Sequence, residues 1–253
     1  MRKIEANSPR VRMRELGGFR IQDREYEMYA IDFRAKEPGT VKICISAGMH
    51  GDELASVEAM AQFLEKNANN EALLKTFSFT IFPCDNPSGY ELETRENADG
   101  IDLNREFRKS NPASEVKILA DAAEQMTFDH VYELHEDVDS YGFYLYEIAA
   151  DKSMRAGPDV VRAVSAAGYP VNLSECIEGM EAHCGVIAPG VSRIRRRHLP
   201  KAVFIYRLGA PHVMTFETPG RALPLEDRVR MQLICLAVAL EKAGGVSNVG
   251  KSS

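Results

Sequence analysis

Two residues in the stretch CISAGMHGDELASV, residues 44–57, have the types and spacing to hold a metal ion. His50 and Glu53 stand three apart, around Gly51 and Asp52, where an apolar run gives way to a helical pattern. An imidazole and a carboxylate so placed, across a turn that opens a helix, can face one side of the same ion. His135, just past DHVYEL (129–134), can close the triangle from a neighbouring strand. Three such ligands with a fourth position left to water form the coordination set of a catalytic zinc. His-x-x-Glu alone is a weak signal, because a single histidine at a loop or strand end commonly bonds backbone instead.

A second polar stretch, NPSGYELETRENADGIDLNREF (86–107), supplies groups that such a centre would use. Hydrolysis of an amide needs a cation to polarise the scissile carbonyl and hold the developing oxyanion, and Arg95 suits that role. Asn104 and Arg105, adjacent in the chain, can anchor a carboxylate, for which arginine's planar fork is well shaped. Asp102 can orient the free ring nitrogen of a ligand histidine, His50 being the best placed. The bland alternative is that Arg95 and Arg105 pair with Glu91, Glu93, Glu96 or Glu106 on a surface loop. Glu217 directly follows the strand-like HVMTF (212–216), near the core edge, where an unpaired charge is costly. Glu136 and Asp137 read as ordinary solvated acids.

The elements that must position these residues are legible from periodicity. VKICISA (41–47) and FSFTIFP (77–83) read as strands, and Leu54, Val57, Met60, Ala61 and Leu64 recur at helical spacing between them. EYEMYAIDF (25–33) alternates loosely, one of the short strands expected before residue 40. Residues 85–110 are too rich in Asn, Asp and Gly for an element, and a connection of that length usually has a function. A helix is expected to start at Asn111-Pro112, with Asn111 as cap. Strands at 129–134 and 142–148, a helix from Pro158 to Ala167, a strand at 212–216 and a closing helix through Leu240, stopped by Gly244-Gly245, complete the pattern. Residues 169–200 show no period and end in a basic cluster: Arg193, Arg195, Arg196, Arg197 and His198. This alternation predicts an α/β fold, three-layer α/β/α with a mixed, largely parallel central sheet, as one catalytic domain over 1–253. In such sheets ligands bind outside the carboxyl ends of the strands, where all four polar stretches fall.

Composition narrows the function classes. The chain has 253 residues, 45% hydrophobic, with a formal net charge of −6, so no general basic field exists to hold nucleic acid or an anionic membrane. The start, MRKIEANSPRVRMREL, carries charge where a signal peptide needs apolar residues, which makes a cytoplasmic protein the expectation. Five scattered cysteines suggest buried free thiols rather than disulfides or a thiolate metal site. His130, His183, His198 and His212 are assigned structural roles. Nothing in the chain specifies an oligomeric state.

The stretches GMHGDE, NPSGYELETRENADGIDLNREF, ELH and TFETP resemble, in order, the zinc metallocarboxypeptidases in the broad sense, and most of all the short bacterial murein-peptide amidases among them. The resemblance covers residues 41–107 and returns at 131–136 and 212–219. It implies one Zn2+ per chain held by His50, Glu53 and His135, with Glu217 as general base. It also implies Arg95 as the carbonyl-polarising arginine, Asn104 with Arg105 as the carboxylate-binding pair, and Asp102 as the acid behind the first histidine. The mobile tyrosine of many carboxypeptidases has no clear counterpart among Tyr144, Tyr146 and Tyr206. The related succinylglutamate desuccinylases and aspartoacylases share the pattern but carry a further β-rich domain after the base. Here 36 residues follow Glu217. The expectation is therefore hydrolysis of a small peptide or amide beside a free carboxylate. The alternatives are an N-acyl amino acid deacylase and, in another class, a non-catalytic carboxylate-binding protein on the same fold.

Overall fold

The computed structural model describes residues 8, 10–33, 40–189, 199–220 and 223–245. Two long antiparallel strands open the chain, β1 (Val11–Ile21) and β2 (Arg24–Phe33). A βα unit follows: β3 (Val41–Ala47), then α1 (Leu54–Asn67) and the short α2 (Glu71–Thr76), which leads into β4 (Phe77–Phe82). The long connection holds a six-residue helix, α3 (Pro87–Leu92), and a 3-10 turn at Leu103–Arg105 before α4 (Ser114–Glu124). Next come β5 (His130–Asp137), β6 (Tyr144–Ala149) and α5 (Gly157–Ala166). Three two-residue strands, β7 (Cys176–Ile177), β8 (Met180–Glu181) and β9 (Val186–Ile187), precede α6 (Lys201–Arg207), β10 (His212–Pro219) and α7 (Leu225–Ala243).

Eight strands form one sheet in the order β1-β2-β4-β3-β5-β10-β6-β9. Its centre, β4-β3-β5-β10, is parallel, whereas β2 meets β4 and β6 meets β10 in antiparallel fashion. Strand alternation sends Ile43, Ile45, Tyr132, Leu134, Met214 and Phe216 to one face, where they pack under α1, α5 and α7. Cys44, Val131 and Val213 point to the other face, with Val116 and Leu119 of α4 and Phe204 and Ile205 of α6. The result is the expected three-layer α/β/α arrangement. By the same period of two, Ser46, Glu133, His135, Thr215 and Glu217 all belong to the α4/α6 face. No helix among the described residues is long and apolar enough to cross a membrane.

Several elements depart from the sequence expectations. Helix α4 starts at Ser114, with Ala113 at the cap position and no side-chain cap. Glu115, in the first turn, is a buried carboxylate that accepts from Asn97 Nδ2. Helices α2 and α6 have six and seven residues, too short to show a period. Strands β5 and β10 run on to Asp137 and Pro219, so His135 and Glu217 lie inside strands rather than after them. All five cysteines are free, but Cys176 and Cys184 are exposed, not buried.

Candidate metal centre

The site is built where β3 hands over to α1. Residues 50–53 form a tight turn in which the Glu53 N–H donates to the His50 carbonyl, and Glu53 itself occupies the cap position of α1. Ser56 locks that turn: its hydroxyl donates to the Glu53 carbonyl at 2.7 Å and accepts from the Gly48 N–H at 3.1 Å. Gly51 is required here, because a Cβ at this position would lie 1.9 Å from the carbonyl carbon of Gly89 in the facing loop. Any side chain at residue 51 must push the two loops apart and carry His50 with them.

This turn places His50 Nδ1 2.5 Å from Glu53 Oε1, while His135 Nδ1 arrives from β5 to 2.9 Å from Glu53 Oε2. One ligand atom from each of the three residues falls within 4.8 Å of the others, the only such cluster of potential metal ligands among the described residues. All three side chains are buried, and Glu53 Oε2, although 2.9 Å from His135 Nδ1, receives no well-directed hydrogen bond. Burial, the largest single influence on His50, opposes its charge, yet the carboxylates of Glu53 and Asp102 outweigh burial and raise its pKa to about 9. Burial likewise opposes charge on Glu53, but His50 and His135 pull its pKa down to about 2. His135 is raised by Glu53 against the same burial penalty. The pocket therefore favours positive charge, which protons supply when no cation does. Two imidazole nitrogens and a carboxylate around one buried point, with Glu53 Oε2 close to His135 Nδ1 but in no well-directed hydrogen bond, fit a zinc ion.

The remaining residues gather around this centre. Glu217 is the register partner of His135 across the parallel β5–β10 pair and is half-buried. Its pKa is pushed up to about 8, chiefly by burial and further by Glu53 and Asp137, against the pull of His135 and Arg95. Asp102 caps the 3-10 turn by accepting from the Asn104 N–H, and its Oδ1 lies 3.5 Å from His50 Nε2. Arg95 Nη2 donates to Asp102 Oδ2 at 3.3 Å, and Nη1 stands 3.9 Å from Glu53 Oε1. Neither this arginine nor Arg105 is paired with the nearby glutamates as the bland reading supposed: Glu91 is taken by Arg24 and Tyr26, and Glu106 by Lys109. Arg105 is exposed and donates to the Asn104 carbonyl, while Asn104 Oδ1 accepts from the Lys201 N–H at 2.9 Å.

Other parts of the site were not apparent from sequence. Glu136 is buried, not solvated; it accepts from the Ala55 N–H and pairs with Arg228, joining β5 to the starts of α1 and α7. Asp137 accepts from the Tyr144 hydroxyl at 2.9 Å. Tyr144 is the antiparallel register partner of Glu217, and Tyr146 packs edge-on against it. Gln232 of α7 donates to the His135 carbonyl at 2.6 Å. A lone Glu or Gln carries no signal of such pairings, since partners arrive from elements distant in sequence. His130 and His212 are buried and bonded to each other, and His183 is exposed beside Glu181. The basic cluster Arg193, Arg195, Arg196, Arg197 and His198 lies outside the described residues.

A layered α/β/α sheet with this donor set at the carboxyl ends of its strands is the layout of a metal-dependent hydrolase. The sequence profile of the zinc carboxypeptidases matches residues 1–139, more than half of the chain, and the protein belongs to that family of metallopeptidase-type hydrolases, whose members use zinc. The match takes in His50, Glu53, Arg95, Asp102, Asn104, Arg105 and His135, whereas Glu217 lies beyond it. Among solved structures, a candidate metallopeptidase from Shewanella amazonensis superimposes with a TM-score of 0.78 at 22% identity, covering 95% of this chain and 91% of that one. A metallo-carboxypeptidase from Burkholderia cenocepacia gives 0.70 at 18%, over 97% and 67%. Bovine thrombin-activatable fibrinolysis inhibitor gives 0.68 at 17%, over 96% and 93%. At these identities the likeness is one of fold. Comparison with curated proteins finds no match.

Proposed function

We propose that the protein is a zinc-dependent hydrolase that cleaves an amide or peptide bond next to a free carboxylate, with one Zn2+ per chain held by His50, Glu53 and His135. The observation that carries this reading is the convergence of His50 Nδ1, His135 Nδ1 and the Glu53 carboxylate, with Glu217 in register beside His135. When bound, the ion supplies Lewis acidity and brings the pKa of a bound water to about 7.

The chain's own groups divide the remaining work. Asn104 and Arg105 hold the substrate carboxylate through amide and guanidinium donors. Arg95 donates to the scissile carbonyl oxygen as negative charge builds there. Glu217 accepts the proton of the attacking water and hands it to the departing amine; its raised proton affinity suits the second task. Asp102 keeps His50 in the tautomer that leaves Nδ1 free. The substrate is a small peptide, with a fixed distance between its carboxylate and the bond cleaved.

The test is a substrate panel with and without a chelator: peptides ending in Glu, Asp, Lys or aromatic residues, a murein tripeptide, and N-succinyl, N-acetyl and N-formyl amino acids. The expected result is cleavage of peptides, lost on chelation and regained with Zn2+. Hydrolysis of acylated amino acids alone would replace this reading with a deacylase. A purified chain that neither contains nor takes up zinc would leave a carboxylate-binding protein.

A further inference from the structure

Under the α4/α6 face of the sheet, Lys201 is buried to 1% exposure together with Asp85, Glu133 and Ser46. Its Nζ donates to Ser46 Oγ and, at 2.7 Å, to Asp85 Oδ2, and it stands 4.5 Å over the Phe82 ring. Ser46 Oγ donates in turn to Asp85 Oδ2 at 2.6 Å. Removing a lysine and two carboxylates from water is expensive, and a well-packed apolar set of equal volume commonly holds a fold as well or better. Stability therefore does not account for this cluster. Its two ends do.

At one end the Lys201 main-chain N–H donates to Asn104 Oδ1, which uses the acceptor side of that amide and leaves Nδ2, its donor side, for an anion. At the other end Glu133 lies between the ammonium and a metal-site histidine: Oε1 is 3.9 Å from Lys201 Nζ, and Oε2 is 4.0 Å from His135 Nε2. Glu133 Oε1 has no hydrogen-bond partner although it is buried, so its carboxylate is held by charge and packing rather than by donors. A carboxylate behind the outer ring nitrogen of His135 favours the tautomer with Nδ1 unprotonated, the atom that faces Glu53.

We propose that Lys201 is a positioning residue that serves both halves of the site through different groups, its main-chain N–H orienting the Asn104 amide toward the substrate carboxylate and its ammonium holding Glu133 behind His135. The inference rests on the function proposed above for the choice of ligands, but its test needs no turnover. The probes are Zn2+, followed by competition with a chromogenic chelator, and benzoylglycine, a simple carboxylate, followed by calorimetry. Lys201→Met alone strands Asp85, so the decisive protein is Lys201→Met/Asp85→Asn, which removes opposite charges together.

The double variant, which leaves Glu133 without its cation but keeps the main-chain N–H that meets Asn104, should bind Zn2+ about 10- to 100-fold more weakly and leave benzoylglycine affinity within about twofold of the parent. The two halves should separate in single variants: Glu133→Gln weakens Zn2+ alone, and Asn104→Ala weakens benzoylglycine alone. A double variant whose folded fraction binds Zn2+ with parental affinity overturns the proposal. If the parent binds zinc and benzoylglycine but cleaves no substrate, the hydrolase reading fails while these affinities still decide the role of Lys201.

Discussion

Strand β5 carries a histidine near each end, His130 and His135, and each belongs to a cluster of two histidines and a glutamate; the two clusters behave in opposite ways. At the carboxyl end, His50, Glu53 and His135 aim their ligand atoms at one buried point. At the amino end, His130 Nδ1 meets His212 Nδ1 at 2.8 Å, and His212 Nε2 meets Glu147 Oε1 at 3.1 Å, so the groups run in a chain with no shared centre. Glu147 Oε1 also accepts from the Ala156 and Gly157 N–H groups at the start of α5. Burial acts on both sets. His130, facing another imidazole, has its pKa lowered to about 4 by burial and by His212, whereas His50, facing carboxylates, is raised to about 9. Residue type does not distinguish a metal site from a structural cluster; the direction in which the lone pairs point does.

That contrast can be broken outright by exchange of a single residue on each side. His50→Ala or His135→Ala should abolish zinc binding and activity together, while His212→Ala should keep a full complement of zinc. The His212 change leaves Glu147 short of a partner and should cost about 2 to 3 kcal/mol of folding stability. Metal analysis beside denaturant melts reads both outcomes, and loss of zinc from the His212 variant would erase the distinction drawn here.

Glu217→Gln should retain zinc and substrate affinity yet lower kcat about 10^3-fold or more, because the proton acceptor is gone while its shape remains. Single-turnover kinetics on the best substrate of the panel measures it. A smaller effect belongs to Asp102→Asn. Zinc affinity should fall about 10- to 100-fold, since the group behind His50 Nε2 can no longer hold the tautomer, and chelator competition reports it.

The subtlest difference lies in pH dependence of the metal-free protein. His50 binds a proton more tightly folded than unfolded, so it stabilises the fold below about pH 6.5 and that contribution is lost as pH rises through about 9. His130 binds its proton less tightly when folded, so its contribution is present above about pH 6.5 and lost as pH falls through about 4. Denaturation midpoints across pH should therefore show an alkaline limb flattened by His50→Gln and an acid limb flattened by His130→Gln. Interchange of those assignments would contradict the charge environments described. Zinc affinity itself should decline below pH 9, as each ion must displace the His50 proton.

Much of this site was legible before any coordinates. The local turn between His50 and Glu53, the strand that ends in Ala47 and the helix that follows are short-range features, and their periodicity survives in the fold. Asp102 lies beside His50, the histidine with which the sequence paired it. Elements shorter than two turns did not register, and α6 was missed with them. Lys201 was missed for that reason: it begins a seven-residue helix, and its partners Ser46, Asp85 and Glu133 come from three other places in the chain. Glu136 and Asp137 were misjudged as solvated because the groups that meet them, Arg228, the Ala55 N–H and Tyr144, are distant in sequence.

What the sequence determined by itself was the inventory and the local geometry: which groups can bind a metal, which three-residue spacing places two of them together, and which α/β alternation sets strand ends side by side. Those follow from short-range sterics and from burial of apolar faces. Only the tertiary structure decided which histidines share a centre and which form a chain, because that choice depends on strand register and on the face each side chain takes. A shift of one residue in β5 would send His135 to the opposite face of the sheet, away from Glu53 and Glu217.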